Sequence, residues 1–215
     1  MRLSIYFILL CLIFTQIKLS LSADSFVTCG SLIKLLNYGH NVRLHSHEVK
    51  YGGGSGSGQQ TVTAISAMDD VNSYWILRAP HDKQCIRGSR LSCGEKVVLQ
   101  HSATKLFLHS HYFTSPLSHN QEVSCFGENS EGDNGDYWIL ECSGKFWKKK
   151  DKIRLKHALT EMYLHVPGDT YGRPIAGQKE VCGYAKKQKD NQWSVEEGVM
   201  ITYDEESEFH IHDDL

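Results

Sequence analysis

The chain has 215 residues, 23 Lys plus Arg against 25 Asp plus Glu, and 40% hydrophobic residues. That composition excludes fibrous and disordered classes and leaves room for one compact domain or two small ones. A net charge of −2 supplies no general electrostatic drive toward nucleic acid or an anionic membrane, so neither is expected as a partner.

Residues 1–22 begin with Arg2, run through the apolar stretch Ile5 to Phe14 and reach small residues at Ser20, Ser22 and Ala23. This is the pattern of a secretory signal peptide. Its apolar core of about ten residues is shorter than the roughly 20 that a membrane span needs. No other stretch is as apolar, so no membrane span is expected. Removing residues 1–22 takes away Arg2 and Lys18 and no acid, which leaves 21 basic against 25 acidic residues, or −4.

From residue 26 to residue 200 the chain repeats itself. Three segments align without a gap: Ile33 to His45, Val97 to His109 and Ile153 to His165. Each ends in a Leu-His pair, Leu44-His45, Leu108-His109 and Leu164-His165. A Gly- or Ser-containing loop follows, then a Gln and a Val (Gln60 and Val62, Gln121 and Val123, Gln178 and Val181), then Trp75, Trp138 and Trp193. The Leu-to-Trp spacings are 31, 30 and 29 residues. Ile33/Leu35, Val97/Leu99 and Ile153/Leu155 alternate with period two, as do Val42/Leu44, Leu106/Leu108 and Met162/Leu164. The alternation predicts strand pairs buried on one face. Units at 26–82, 90–145 and 146–200, each of about four short strands, cannot bury their faces alone and must close on a shared core. A three-fold count points to an all-β β-trefoil.

The chain closes with residues 201–215, an acidic tail carrying Asp204, Glu205, Glu206 and Glu208 and ending His212-Asp213-Asp214-Leu215. That tetrapeptide matches the H-D-E-L type of endoplasmic reticulum (ER) retrieval signal, with Asp214 in place of Glu, and a retrieval receptor is the partner it implies. With a signal peptide at the other end, the expected location is the ER lumen, with partial secretion if the shorter Asp214 weakens retrieval.

Seven cysteines include Cys11 in the signal segment; the other six can pair in 15 ways in an oxidising lumen. The shortest loop joins Cys85 and Cys93, and a local disulfide is expected there. The sequence holds no C-x-x-C redox pair and no N-x-S/T sequon.

The phrases Val27-Thr28-Cys29-Gly30-Ser31, Arg43-Leu44-His45-Ser46-His47-Glu48-Val49, Gln59-Gln60-Thr61-Val62-Thr63, Asn72-Ser73-Tyr74-Trp75, Leu108-His109-Ser110-His111-Tyr112-Phe113, Asn120-Gln121-Glu122-Val123-Ser124 and Tyr171-Gly172-Arg173-Pro174-Ile175 resemble the stromal cell-derived factor 2 family. The resemblance covers nearly the whole chain after the signal segment. It implies a β-trefoil of three MIR repeats, a module shared with protein O-mannosyltransferases and intracellular calcium-release channels. It also implies a non-enzymatic role beside a DnaJ-type co-chaperone and the luminal Hsp70, in protein quality control and the unfolded-protein response. Two features depart from the family pattern: the loop Gly52 to Gly58 is about two residues longer than the family pattern, and Cys125 and Cys182 are unexpected at their positions.

Three sets of residues are candidates for function. His45/His47 and His109/His111 each place two imidazoles on one face of a strand, a spacing able to hold a metal. The third unit reads His165-Val166 and lacks the second histidine. With no paired Cys or carboxylate alongside, these histidines are expected to serve hydrogen bonding or a partner or ligand surface, with no metal and no cofactor. Trp75, Trp138 and Trp193, with Leu44, Leu108 and Leu164, are expected in the core, each indole N–H finding a backbone acceptor. The Lys145 to Lys152 run is expected as a solvated hairpin, with docking of an acidic partner as its functional alternative. No G-x-S-x-G or H-E-x-x-H motif is present, so catalysis is not expected. The rival reading is a carbohydrate-binding module for O-mannosylated clients; the chain lacks the regular Q-x-W signature of ricin-type lectins.

Overall fold

The computed structural model describes residues 26–52, 56–127 and 131–202. The expected signal peptide and the retrieval residues His212 to Leu215 lie outside the described residues. The first unit contributes strands β1 (Leu32–Asn37), β2 (Val42–Lys50), β3 (Gln60–Ile65) and β4 (Tyr74–Arg78). The second contributes β5 (Lys96–His101), β6 (Phe107–Thr114), β7 (Gln121–Phe126) and β8 (Trp138–Glu141). The third contributes β9 (Arg154–His157), β10 (Tyr163–His165), β11 (Lys179–Glu180), β12 (Cys182–Tyr184) and β13 (Trp193–Val199).

A single turn geometry starts each unit. The first strand ends in a carbonyl that accepts from the amide four residues on: Asn41 to Asn37 at 3.0 Å, Lys105 to His101 at 2.9 Å and Glu161 to His157 at 2.9 Å. Closing that turn forces the donor residue into the left-handed region, with φ of 54°, 64° and 62° at Asn41, Lys105 and Glu161. Asn tolerates this conformation better than Lys or Glu, so the geometry is imposed by the repeat rather than by the residue.

Antiparallel pairings run β1–β4, β4–β5, β5–β8, β8–β9 and β1–β13. The mutual backbone bonds of Ile153 and Trp193 join the β9 segment to β13 and close a six-stranded barrel. The remaining strands form three hairpins at one end, and these meet in a triangle through β3–β7, β7–β12 and β11–β3. A barrel of six strands capped by three hairpins is a β-trefoil. Leu35, Leu99 and Leu155, and Leu44, Leu108 and Leu164, are fully buried within it, with Val62, Val123 and Val181. Each such aliphatic side chain contributes roughly 1.5–3 kcal/mol on burial.

The opposite end is closed by a second triad that periodicity did not reveal. Isolated bridges Phe26–Lys148, Thr28–Arg90 and Ser92–Phe146 form a small triangular floor. Its inward residues Val27, Leu91 and Trp147 are buried. The expected solvated hairpin at 145–152 is therefore corrected: Trp147 plugs the barrel, while Lys145, Lys148 and Lys150 face outward.

The expected Cys85–Cys93 disulfide is also corrected. The pairs are Cys29–Cys85 and Cys93–Cys142, and Cys125 and Cys182 are free and buried. The intervening residues do not turn back as a hairpin. They run on as the floor strand, with Leu91 N bonded to Val27 O, so that Cys93 is carried to the segment of Lys145, whose carbonyl accepts its amide at 3.0 Å. Loops of 56 and 49 residues imply about 4 kcal/mol per crosslink in the chain-entropy view.

Candidate functional site

Two sets of three-fold bonds fix the scaffold around the candidate residues. The indole N–H of Trp75 donates to Leu44 O at 3.0 Å, Trp138 to Leu108 O at 2.9 Å and Trp193 to Leu164 O at 2.8 Å. The spacings of 31, 30 and 29 residues are thus the span of one hydrogen bond. A second set stitches each unit to the next. His101 reaches Asn72 O at 2.8 Å, His157 reaches Gly135 O at 2.9 Å, and Asn37 donates to Asp190 O at 2.8 Å, closing the ring. Burial holds both of these histidines below their ordinary pKa, so the neutral imidazole is the form that sits in the seam.

The Leu-His histidines form the next layer outward. His45 Nδ1 lies 3.0 Å from Asp70 Oδ2, and its Nε2 lies 3.0 Å from His47 Nδ1. Asp70 also accepts from Ser73 Oγ at 2.7 Å. Burial, then the neighbouring His45, lower the pKa of His47. In the second unit His109 Nδ1 is 2.9 Å from Asp136 Oδ1, while Asp136 Oδ2 meets His81 Nε2 and the amide of Asp133, each at 2.8 Å. In the third unit Gln188 and Asn191 occupy the positions of Asp133 and Asp136, and His165 stacks on Tyr184 at 4.8 Å. Among the described residues its buried Nδ1 has no partner, and burial pulls its pKa down to about 4.

The expectation that no carboxylate stands beside these histidines is thus corrected in both units that carry the pair. One atom each from His109, Asp133 and Asp136 lies within 4.8 Å of the others, a set that could hold a metal. All three groups are already engaged in the network, however, Asp133 accepting from Gly135 N at 2.7 Å. The missed residues are Asp70, Asp136 and His81. Asp70 and Asp136 stand five and two residues before Trp75 and Trp138, so no common spacing marks them in the sequence, and each meets its histidine once the Trp–Leu bond folds the unit.

Side chains at 109, 111 and 113 share one face of β6 and form a row of rings with Phe126. Centroids are 4.8 Å apart for Phe126–His109, 5.0 Å for His109–His111 and 4.5 Å for His111–Phe113. Tyr112 points the other way and is 79% exposed. Nearby, a shallow groove between the first two units is lined by Glu48, Lys50, Gln59, Gln60, Thr104 and Phe126. Gln60 Nε2 there already donates to Ser46 and Thr104.

Comparison with known proteins gives this arrangement a family. The MIR domain matches residues 34–142. Human stromal cell-derived factor 2 is 53% identical over 175 residues, which cover 81% of this chain and 82% of that protein. The chain belongs to the stromal cell-derived factor 2 family. Within that family, the crystal structure of the SDF2-like protein from Arabidopsis thaliana is 45% identical and covers 84% of this chain and all of that one, with a TM-score of 0.80. The Saccharomyces cerevisiae protein O-mannosyltransferase Pmt1–Pmt2 complex, bound to its sugar donor, matches 83% of this chain with 27% of its own, at 29% identity and a TM-score of 0.73. Among the described residues no helix is long and apolar enough to cross a membrane.

Proposed function

We propose that this protein is a non-enzymatic accessory of the ER-luminal chaperone machinery, built as three MIR repeats at 26–82, 90–145 and 146–200. It acts with a DnaJ-type co-chaperone and the luminal Hsp70 on unfolded clients, in quality control and the unfolded-protein response. The observation that carries this reading is family membership at 53% identity. The two disulfides fit an oxidising compartment, and the sequences at 1–22 and 212–215 supply the addresses that would keep it in the lumen, with a secreted fraction set by Asp214.

The geometry supports a scaffold role. Repeated polar side chains, the Trp–Leu bonds and the histidine seam are engaged in holding the trefoil. The rim around His45/His47 and His109/His111, with the exposed Tyr112, is available for recognition. A rigid scaffold presenting loops and rim residues is a common basis for partner docking.

A second reading, recognition of mannose on O-mannosylated clients, draws on the likeness to the mannosyltransferase. The engagement of Gln60 within the scaffold weighs against it at the groove it lines. Affinity purification of the tagged mature protein from ER lysate, with a free C-terminus, separates the two. Co-purification of a DnaJ-type co-chaperone and the luminal Hsp70 is expected. Recovery of mannosylated glycoproteins alone, released by free mannosides, would establish the second reading instead.

A further inference from the structure

The barrel floor carries a one-signed surface. Arg87, Arg90, Lys145, Lys148 and Lys150 are exposed on or beside it, and Lys149 is half-buried. The Arg90 guanidinium lies over the rings of Phe26 and Phe146, and Lys145 also lies over Phe146. Residues 145–150 hold no acid, and the Asp151 that follows them accepts from the amide of Lys148.

The C-terminal segment leaves the barrel at the rim of this floor. Ile201 N donates to Ser31 Oγ at 3.0 Å, and Ile201 O accepts from Thr28 Oγ1 at 2.5 Å. Thr28 is a floor residue, bridged to Arg90, and two residues away Phe26 is bridged to Lys148. Arg87 and Ile201 line one groove at this exit. Beyond Thr202 the sequence continues for 13 residues that hold six acids and no Lys or Arg, four of the acids being Asp204, Glu205, Glu206 and Glu208.

We propose that the acidic block Asp204–Glu208 docks on the basic floor of the same molecule, as an intramolecular electrostatic contact. Reach permits it: two residues along a strand and one strand spacing separate Thr28 from Lys148, about 12 Å, whereas six extended residues from Tyr203 to Glu208 span about 20 Å. Charge complementarity selects the occupant, since the tail is the acidic segment tethered at the floor's edge, and tethering raises its local concentration to the millimolar range. The docked block holds the last residues of the chain beside the barrel floor, so presentation of His212 to Leu215 to a receptor is coupled to occupancy of the floor. An acidic segment of a partner that took the floor would release the tail.

The test uses the full mature chain with a nitroxide at Ser207→Cys. Cys125 and Cys182 are buried, and burial pushes both thiols up to about 12, so the label goes to the introduced thiol. Amides of residues 87–90 and 145–150 should broaden selectively at about 0.01 M salt, where the Debye length is about 30 Å, and recover at about 1 M, where it is about 3 Å. The broadening should be lost in Lys149→Glu/Lys150→Glu and in a tail carrying D204N, E205Q, E206Q and E208Q. Absent or uniform broadening at low salt overturns the proposal, as does selective broadening that survives either set of substitutions. Broadening that appears only when isotope-labelled, nitroxide-free protein is mixed with nitroxide-labelled protein also overturns it, by placing the tail on a second copy. If the lysine variant does not give a folded spectrum, the tail variant and the salt series decide.

Discussion

The second and third units share a backbone plan yet differ in the layer just outside it. Both close the same left-handed turn, at Lys105 and at Glu161, and both bond an indole to a leucine carbonyl, at 2.9 and 2.8 Å. In the second unit His109 then meets the buried carboxylate of Asp136, which also holds His81. In the third, His165 meets a tyrosine ring and amides take the acids' places. The trefoil therefore requires the Trp, the Leu and the turn, and does not require the histidine–acid pair. Groups kept by all three units belong to the scaffold, and the rim of the first two units is where binding chemistry has room to differ.

Substitutions at the shared layer should have the largest effect and should not distinguish the units. Trp138→Ala and Trp193→Ala are each expected to cost about 3–5 kcal/mol, read by chemical denaturation. A large difference between the two would break the claim that the units bear load alike.

The histidines should distinguish them by pH. The pKa of His165 lies at about 4 in the fold because burial disfavours its charged form, against about 6.5 in the unfolded chain. The unfolded chain therefore takes up the proton first, and stability falls as pH drops from about 6.5 toward 4, by a ceiling of about 3 kcal/mol. His165→Gln should flatten that slope when stability is measured across this range, and an unchanged slope would assign the loss elsewhere.

Asp136→Asn makes the second unit resemble the third at one position. It should preserve the turn, because Asn191 serves there in the third unit by accepting from Gln188 N at 3.1 Å. It should nevertheless cost about 1–3 kcal/mol through the loss of a charged acceptor for two imidazoles, with ring resonances of His81 and His109 moving together. Tyr112→Ala, at an exposed rim position, should change stability by no more than about 0.5 kcal/mol while weakening capture of the co-chaperone.

Much of this fold was legible because its repeats match in register. Period-two alternation located the paired strands, and the near-constant Leu-to-Trp spacing proved to be a hydrogen bond. The floor was not legible, since Phe26 to Thr28, Arg90 to Ser92 and Phe146 to Lys148 are too short to show a period and share little beyond an apolar central residue. The disulfides failed for a related reason: proximity in sequence favoured Cys85 with Cys93, whereas the floor strand holds them apart. The site was half legible. Its histidines stand out in sequence, but Asp70 and Asp136 lie 25 and 27 residues from them and are brought close only by the folding of each unit onto its own tryptophan.

The most direct test of the accessory role uses purified components. The mature protein is mixed with a luminal DnaJ-type co-chaperone and followed by gel filtration, with an O-mannosylated peptide and its bare counterpart as separate ligands. Co-elution with the co-chaperone, weakened by Tyr112→Ala, and equal indifference to both peptides is the expected result. No co-elution, together with binding to the mannosylated peptide alone that free mannoside reverses, would contradict it.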